Sequence, residues 1–409
     1  MTAPEINADA LPFSGLKVID CASYIAGPAA AMLLSDFGAD VIKIEPPEGD
    51  PHRDLYQRVG AQDISRNFIW DLNSRNKRSL ALDLKHPAGQ AVLQRLVAQA
   101  DVFITNLPLP VRGRLGISAA LLRPLNPRLV YASMTGYGET GPEAAKTAFD
   151  VTAYWARSGL MDLVRDHSAP PTRPVAGMGD HPSASTLFAG ITMALYRRER
   201  TGLGGEVRSS LMANGLWSNA IQVQAALSGA QFGPRLGRHA APYPMSNIYQ
   251  CADGRWLSLV VLNEARQWLP LLGVLGLAEL ALDRRFDNAE ARAAHHAALI
   301  EAFDQAFAQQ ALAHWTTALN DAGITFGVVA TLADMAGDAQ MQATGALRPC
   351  PHHGGLTLAS PLSIDGSAQR PPGPAPTLGQ HSAELLREAG LSEAEIGRLI
   401  ADAVVIGPV

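Results

Sequence analysis

The 409-residue chain is long enough for two or three domains of about 150 residues with a large buried interior, which excludes a peptide or a mini-protein. Its 33 Lys and Arg against 38 Asp and Glu leave a net charge of −5, which excludes a broad surface for nucleic acid or anionic membrane. Only 17% of the residues are charged and 47% are hydrophobic, so the chain folds, and part of its surface is expected to be hidden in a subunit interface.

The first 12 residues carry Glu5 and Asp9 without a basic start or an apolar run, so no secretory leader is expected there. Residues 16–21 read as a short strand, 28–37 as a helix with proline in its first turn, and 40–44 as a second strand. The connection 46–75 is far longer than the usual roughly 2–6 residues and reads as a lid or a segment that embraces a partner. Residues 79–84 continue the strand series, 86–100 carry a helical stripe of Val92, Leu93, Leu96 and Val97, and 102–105 and 129–133 read as further strands. This alternation predicts an α/β fold: a parallel sheet covered by helices on both faces, with a ligand site at the carboxyl ends of its strands. Downstream, 182–200 and 213–229 read as helices and 206–211 as a strand. From Asp253 the pattern changes to a hairpin turn, alanine-rich helices through Ala322 and a strand at 325–330, which predicts a second, smaller domain. After Leu347 come Pro- and Gly-rich turns, a linker at 370–376 and two closing helices, with a capping box of Ser392 and Glu395; this end is expected to return to the first domain. The most apolar stretch, 268–278, is broken by Pro270 and falls short of the about 18 residues a membrane span needs. Cys21, Cys251 and Cys350 form no CxxC pair and are expected to be reduced, in the cytoplasm.

Three constellations could carry chemistry. The turn Ser23-Tyr24-Ile25-Ala26-Gly27-Pro28, with Glu45 ending the second strand, is laid out like half of a dinucleotide site. The G-x-G-x-x-G fingerprint is missing, however, and Pro28 removes a backbone donor, so a tight turn packing a helix on the sheet is preferred to a nicotinamide or flavin site. Asn73, Arg75, Lys77 and Arg78 before one strand, and Asn106, Arg112 and Arg114 after another, would suit a ligand with separated phosphates, since guanidinium grips phosphate oxygens bidentately. Solvated surface charge is the plainer alternative. In Ala176-Gly177-Met178-Gly179-Asp180-His181-Pro182-Ser183, two glycines allow close backbone approach and Asp180 opens the helix that follows. It is either a helix cap or a carboxylate, kept ionised by amides and the helix dipole, that attacks an activated acyl group while neighbouring N–H groups hold the oxyanion. His295 and His296, and Cys350 with His352 and His353, lack convincing metal spacing, and no metal site is expected.

Taken together, GLKVIDCASYIAGPAAAMLLSDFGADVIKIEPPEGD, NSRNKRSLALDLKHPAG, DVFITNLPLPVRGRLGI, NPRLVYASMTGYGETGP, GMGDHPSASTLFAGITMALYRRERTGLGGEV and PTLGQHSAELL resemble the class III CoA-transferases of the CaiB/BaiF type, which include formyl-CoA transferase and have α-methylacyl-CoA racemase as a sister branch. The resemblance spans nearly the whole chain. It implies a Rossmann-like large domain built from both chain ends (1–225 and 345–409), a smaller inserted α+β domain (226–344) and an interlocked homodimer. It also implies a CoA-transferase acting on an acyl-CoA, a coenzyme A thioester, and a free carboxylic acid, with no tightly bound cofactor, no metal, and no nucleic-acid or membrane partner. Ala26, Leu82, Asn106, Leu107 and Arg114 fall on coenzyme-contacting positions, with Arg75 and Lys77 nearby. Asp180 falls on the catalytic aspartate, which would pass through an aspartyl mixed anhydride and an aspartyl-CoA thioester.

Departures from the family pattern separate its branches. Racemases pair the aspartate with a histidine about thirty residues upstream, because removing and returning an α-proton takes two acid–base groups on opposite faces. Phe149, followed by Asp150, stands there and cannot transfer a proton, which favours a transferase over a racemase or a CoA-thioester isomerase. The glycine-rich flap of formyl-CoA transferase has no clear counterpart, the nearest stretch being 229–244, and Ile25 replaces its glutamine, so oxalate or formate specificity is not implied.

Overall fold

The apolar runs of the first half of the chain assemble into one sheet. In the computed structural model, which describes residues 11–58 and 66–407, strands β1 (Lys17–Asp20), β2 (Asp40–Glu45), β3 (Lys77–Leu82), β4 (Val102–Thr105), β5 (Val130–Thr135) and β6 (Gly205–Ser210) pair in parallel. The leader reading rests almost wholly on residues 1–10, which lie outside the described residues, as do 59–65 of the long connection. Three further strands, β7 (Ser246–Gln250), β8 (Trp256–Val260) and β9 (Phe326–Val328), form a separate antiparallel sheet, and β10 (Leu347–Cys350) and β11 (Gly355–Leu358) form a hairpin where only turns were expected. The last strand, β12 (Val405–Ile406), returns to the first sheet and pairs antiparallel with β3, giving the order β12-β3-β2-β1-β4-β5-β6.

Side chains alternate across each strand, and the two sets meet different helices. Val18, Val41, Val102, Ile104 and Val130 pack beneath the helices Ala26–Asp36 and Asp180–Thr201. Ile19, Ile42, Leu80, Phe103 and Tyr131 point the other way, onto the helix Pro87–Val97 and the closing pair Ser382–Glu388 and Glu393–Ala401. Both faces are covered, so the strands read as near-continuous apolar runs. The stretch read as one helix at 213–229 is two, Leu211–Ser218 and Ala220–Leu227, broken at Asn219, whose amide donates to Ser158 O. The described parts of the long connection, a 3₁₀ segment Pro51–Arg58 and a helix Phe68–Ser74, are packed down rather than free: buried Trp70 donates from Nε1 to Pro376 O at 3.0 Å.

Contacts divide the chain into two compact units. One draws on Met1–Asp162, Arg173–Ala230 and Gln340–Val409 and contains the seven-stranded sheet. The other comprises Leu163–Thr172 and Gln231–Ala339, the short first piece being tied in where His167 N–H donates to Arg235 O at 2.8 Å. Its own core stacks Tyr249 on Phe307 with ring centroids 5.0 Å apart, among Leu257, Leu259, Phe303 and Trp315. Among the described residues no helix is long and apolar enough to cross a membrane.

The order of the first sheet fixes where a ligand can sit. From β1 the chain builds outward to β2 and β3, then crosses back to β4 on the other side of β1, so the crevice opens at the carboxyl ends of β1 and β4. A buried ion pair braces that edge from below. Lys77 Nζ lies 2.8 Å from Asp20 Oδ2 and donates to Pro28 O at 2.7 Å, joining β3, β1 and the helix Ala26–Asp36 with neither side chain exposed. Replacing Lys77 by Met would strand the Asp20 carboxylate, a loss of about 3–5 kcal/mol. Urea denaturation of Lys77→Met should show this as a lower midpoint at unchanged slope; a change of under about 0.5 kcal/mol would show that Asp20 is not held by this pair.

Candidate active site

Two adjoining cavities occupy the crevice. The first, of about 250 Å³, is walled by Ile25, Ala26, Asn106, Leu107, Phe149 and Asp180, among others. The second, of about 240 Å³, is walled by Ile44, Leu82, Leu84, Leu107 and Val111, with Lys85 at its margin. Ser23 and Leu107 line both. The structure thus brings Asp180, Ala26, Asn106 and Leu107 to one cavity and Leu82 to its neighbour.

The turn after β1 is clamped from two sides. Ser23 N–H donates to Asn106 Oδ1 at 2.8 Å while Asn106 Nδ2 donates back to Ser23 O at 2.6 Å. Asp50 Oδ1 accepts from Ser23 Oγ at 2.9 Å and from Tyr24 N–H at 3.3 Å, and Asp50 Oδ2 pairs with the buried Lys43 ammonium at 2.8 Å. These bonds hold Tyr24 at φ +59°, a left-handed conformation costing a non-glycine residue on the order of 1–3 kcal/mol. The Tyr24 ring meets that of Phe149 edge-on, centroids 5.5 Å apart.

Asp180 is the first residue of a 22-residue helix whose N-cap, Gly179, supplies no side-chain cap. The amides of the glycine turn are spent elsewhere. Gly177 N–H and Gly179 N–H both donate to Asp150 Oδ2, at 2.9 and 3.0 Å. Gly177 adopts φ +89°, and a Cβ on Gly179 would stand 2.6 Å from Tyr154 Cγ, so the glycines serve close approach to the protein's own groups rather than to a ligand. The expectation that these amides keep Asp180 ionised and hold an oxyanion is therefore corrected. Burial instead pushes the Asp180 carboxyl up to about 7, and the neighbouring Asp150 adds to the rise. Behind it, His181 Nδ1 lies 3.2 Å from Gly177 O and Nε2 3.1 Å from Asn73 Oδ1, which moors the turn to the helix Phe68–Ser74. Burial holds His181 below the usual imidazole range. Asp150 was named in the sequence only as the neighbour of Phe149; the signal that it organises the turn is its contact with residues 27 and 29 positions on.

The basic residues fall differently from expectation. Arg75, 1% exposed, gives Nε and Nη2 to the two carboxylate oxygens of Asp36 at 3.0 and 2.6 Å, and Lys77 is the buried partner of Asp20. Neither lines either of these two cavities, and each charge is neutralised within the protein by its carboxylate partner. Arg112 is likewise internal, donating to Leu107 O and pairing with Glu139, whereas Arg114 is exposed and lines neither cavity. Glu45, the counterpart of a ribose-binding acid, is occupied by Arg53, Ser79 Oγ and the Asp50 amide. Among the described residues no histidine lines the cavity that holds Asp180, and Phe149, 59% exposed, forms part of its wall. Cys350 Sγ lies 3.2 Å from His352 Nδ1 at the tip of the β10–β11 hairpin, and with His353 these residues bring their ligand atoms within 4.8 Å; Gly355 N–H donates to His353 Nδ1.

The fold that places a half-buried aspartate at a helix N-terminus in this twin-cavity crevice is shared with known proteins of one family. The sequence model of CoA-transferase family III matches residues 13–382. The (R)-2-hydroxy-4-methylpentanoate CoA-transferase of Clostridioides difficile is 30% identical over 93% of this chain and 96% of its own length. The cinnamoyl-CoA:phenyllactate CoA-transferase of Clostridium sporogenes is 31% identical over 95% and 96%, and the acetyl-CoA:oxalate CoA-transferase of Acetobacter aceti 35% identical over 94% and 97%. A solved CaiB/BaiF family protein from Brucella suis superposes with a TM-score of 0.83 at 29% identity, covering 92% of this chain and 99% of that one. The chain belongs to CoA-transferase family III and is a CoA-transferase.

The raised Asp180 carboxyl has a consequence for stability. An acid whose pKa is 3.8 when unfolded and about 7 when folded costs the fold nothing below pH 3.8, and its penalty grows as pH rises to about 7. Asp180→Asn removes the titrating group. The variant should unfold at higher urea than wild type at pH 8 and at nearly the same urea at pH 4; an equal difference at both pH values would show that charge burial at Asp180 is not the cause.

Proposed function

We propose that the enzyme moves coenzyme A from an acyl-CoA donor to a free carboxylic acid by covalent chemistry on Asp180. One observation carries the reading: among the described residues Asp180 is the single carboxylate walling the cavity that also holds Ala26, Asn106 and Leu107. An Asp180 oxygen attacks the thioester carbonyl, the C–S bond breaks and CoA thiolate leaves, giving a mixed anhydride. The thiolate then attacks the aspartyl carbonyl and expels the donor acid as its carboxylate, leaving an aspartyl-CoA thioester. The acceptor carboxylate displaces the thiolate to form a second anhydride. Thiolate attack on its acyl carbon releases the new acyl-CoA and restores Asp180. Burial favours this role, since a carboxyl with a pKa of about 7 is ionised in about half of the molecules at neutral pH and its carboxylate form has little water to shed before attack. No resident metal or nicotinamide takes part in this scheme.

The second cavity, with its apolar walls and Lys85 at the margin, suits the nucleotide end of the coenzyme, and exposed Arg114 is free to meet a phosphate. The unit drawn from both chain ends is then the coenzyme-binding domain and the unit centred on Gln231–Ala339 the smaller inserted one. An interlocked homodimer and a cytoplasmic location complete the reading. The first is supported by apolar side chains left exposed on the first unit, Met193, Tyr196, Trp217, Ile221 and Leu227, and the second by three free, buried cysteines.

Two measurements test these statements. With donor acyl-CoA alone, hydroxylamine trapping and peptide mass spectrometry should place the adduct on Asp180, and Asp180→Ala should lose on the order of 10³-fold or more in kcat. Near-normal turnover of Asp180→Ala would falsify the covalent scheme. Light scattering on a gel-filtered sample should give the mass of two chains; a stable monomer removes the dimer.

A further inference from the structure

The cavity that holds Asp180 is also specific about what it can wrap. Its wall carries the apolar side chains Tyr24, Ile25, Met134, Ala148, Phe149 and Leu211 alongside the neutral polar Ser23, Asn106, Thr135 and Thr147. Phe149 presents an exposed ring at this wall, set edge-on against Tyr24. Tyr24 is itself fixed by the bonds from Asp50 that hold its backbone in the left-handed region, so the aromatic pair is a built surface rather than two loose side chains. The volume fits an aromatic guest, since an apolar cavity of about 150 Å³ is enough to take up benzene and this one measures about 250 Å³.

The charges in the wall point the same way. Among the described residues Lys146 is the single cationic side chain there, and its ammonium already lies 2.9 Å from Glu143 Oε1 and 4.9 Å from the centre of the Tyr137 ring. A dicarboxylate acyl group would bring a second negative charge beside Asp180 with no unpaired cation to meet it, which is costly in a poorly hydrated cavity. A hydrocarbon or phenyl side chain would instead bury against the apolar wall.

Resting on the proposal that acyl groups react at Asp180, we infer that the enzyme selects monocarboxylic acyl groups with a bulky apolar side chain, of phenyl or branched-alkyl size, and that Phe149 and Tyr24 determine this selection. The full-length enzyme is given 3-phenylpropanoyl-CoA, acetyl-CoA and succinyl-CoA separately, and the rate of Asp180 adduct formation is followed by hydroxylamine trapping. The phenylpropanoyl thioester should react at least about tenfold more efficiently than the succinyl thioester. Phe149→Ala, at a position 59% exposed, should lower the phenylpropanoyl-to-acetyl ratio about tenfold while the variant keeps the wild-type urea midpoint. Succinyl-CoA reacting as well as phenylpropanoyl-CoA, or a ratio unmoved by Phe149→Ala, overturns the inference while leaving the covalent chemistry intact. Failure of all three thioesters to label Asp180 overturns the covalent chemistry and the inference together.

Discussion

The crevice is organised around a charge pair that never meets solvent, Lys43 with Asp50. Burial alone would strip the proton from Lys43, but Asp20, Asp50 and Glu45 surround the ammonium and together hold its pKa above the ordinary lysine value. Asp50 faces the same penalty and is kept ionised by Lys43 and by the His52 amide. With both charges secured, the other Asp50 oxygen is free to take the Ser23 hydroxyl and the Tyr24 amide. That bond sets the turn after β1, and through Ser23 it sets the wall shared by both cavities. Removing either charge would expose the other to the full desolvation penalty, so the turn geometry, the strained Tyr24 and the division of the crevice stand or fall as one unit.

A second pair, Asp150 and Asp180, divides labour between two acids of the same kind. Asp150 receives the glycine amides and Val151 N–H and is wholly engaged by backbone donors. Asp180 receives none of them and sits nearby with its carboxyl raised by burial and by its neighbour. Hydrogen bonds given to one carboxylate make it a strut; withheld from the other, they leave burial free to raise its pKa.

What could be read from the sequence follows the range of the physics. Alternation of apolar runs and helical stripes is local, so β1, β2, β4 and the helices Ala26–Asp36 and Asp180–Thr201 were legible to within two residues at each end, and the helix Pro87–Val97 to within three. The place of Asp180 at the start of a helix was legible because its glycines and the following helix lie beside it in the chain. Arg75 and Lys77 were not: a basic residue next to a strand gives no sign of its partner, and Asp36 and Asp20 lie 39 and 57 positions away. The state of Asp180 was misread for the same reason, since the amides adjacent to it in sequence are claimed by Asp150, which reaches them from 27 residues upstream. Strand β12 is only two residues long and carries no periodicity from which it could be read.

That short strand bears on how the protein is made. The Ser382 hydroxyl at the edge of β3 receives the Ala81 amide across 301 residues of chain, and β12 closes the same edge from still further on. At a synthesis rate of about 5–20 residues per second, roughly 300 residues take on the order of 15–60 s. For that time a nascent β3 waits on the ribosome with its outer backbone groups unpaired, an open template for other strands. A polypeptide whose β3 edge is sealed only by residues some 300 positions further on therefore spends an aggregation-prone interval during translation, and slowing elongation would lengthen that interval rather than help the domain to fold.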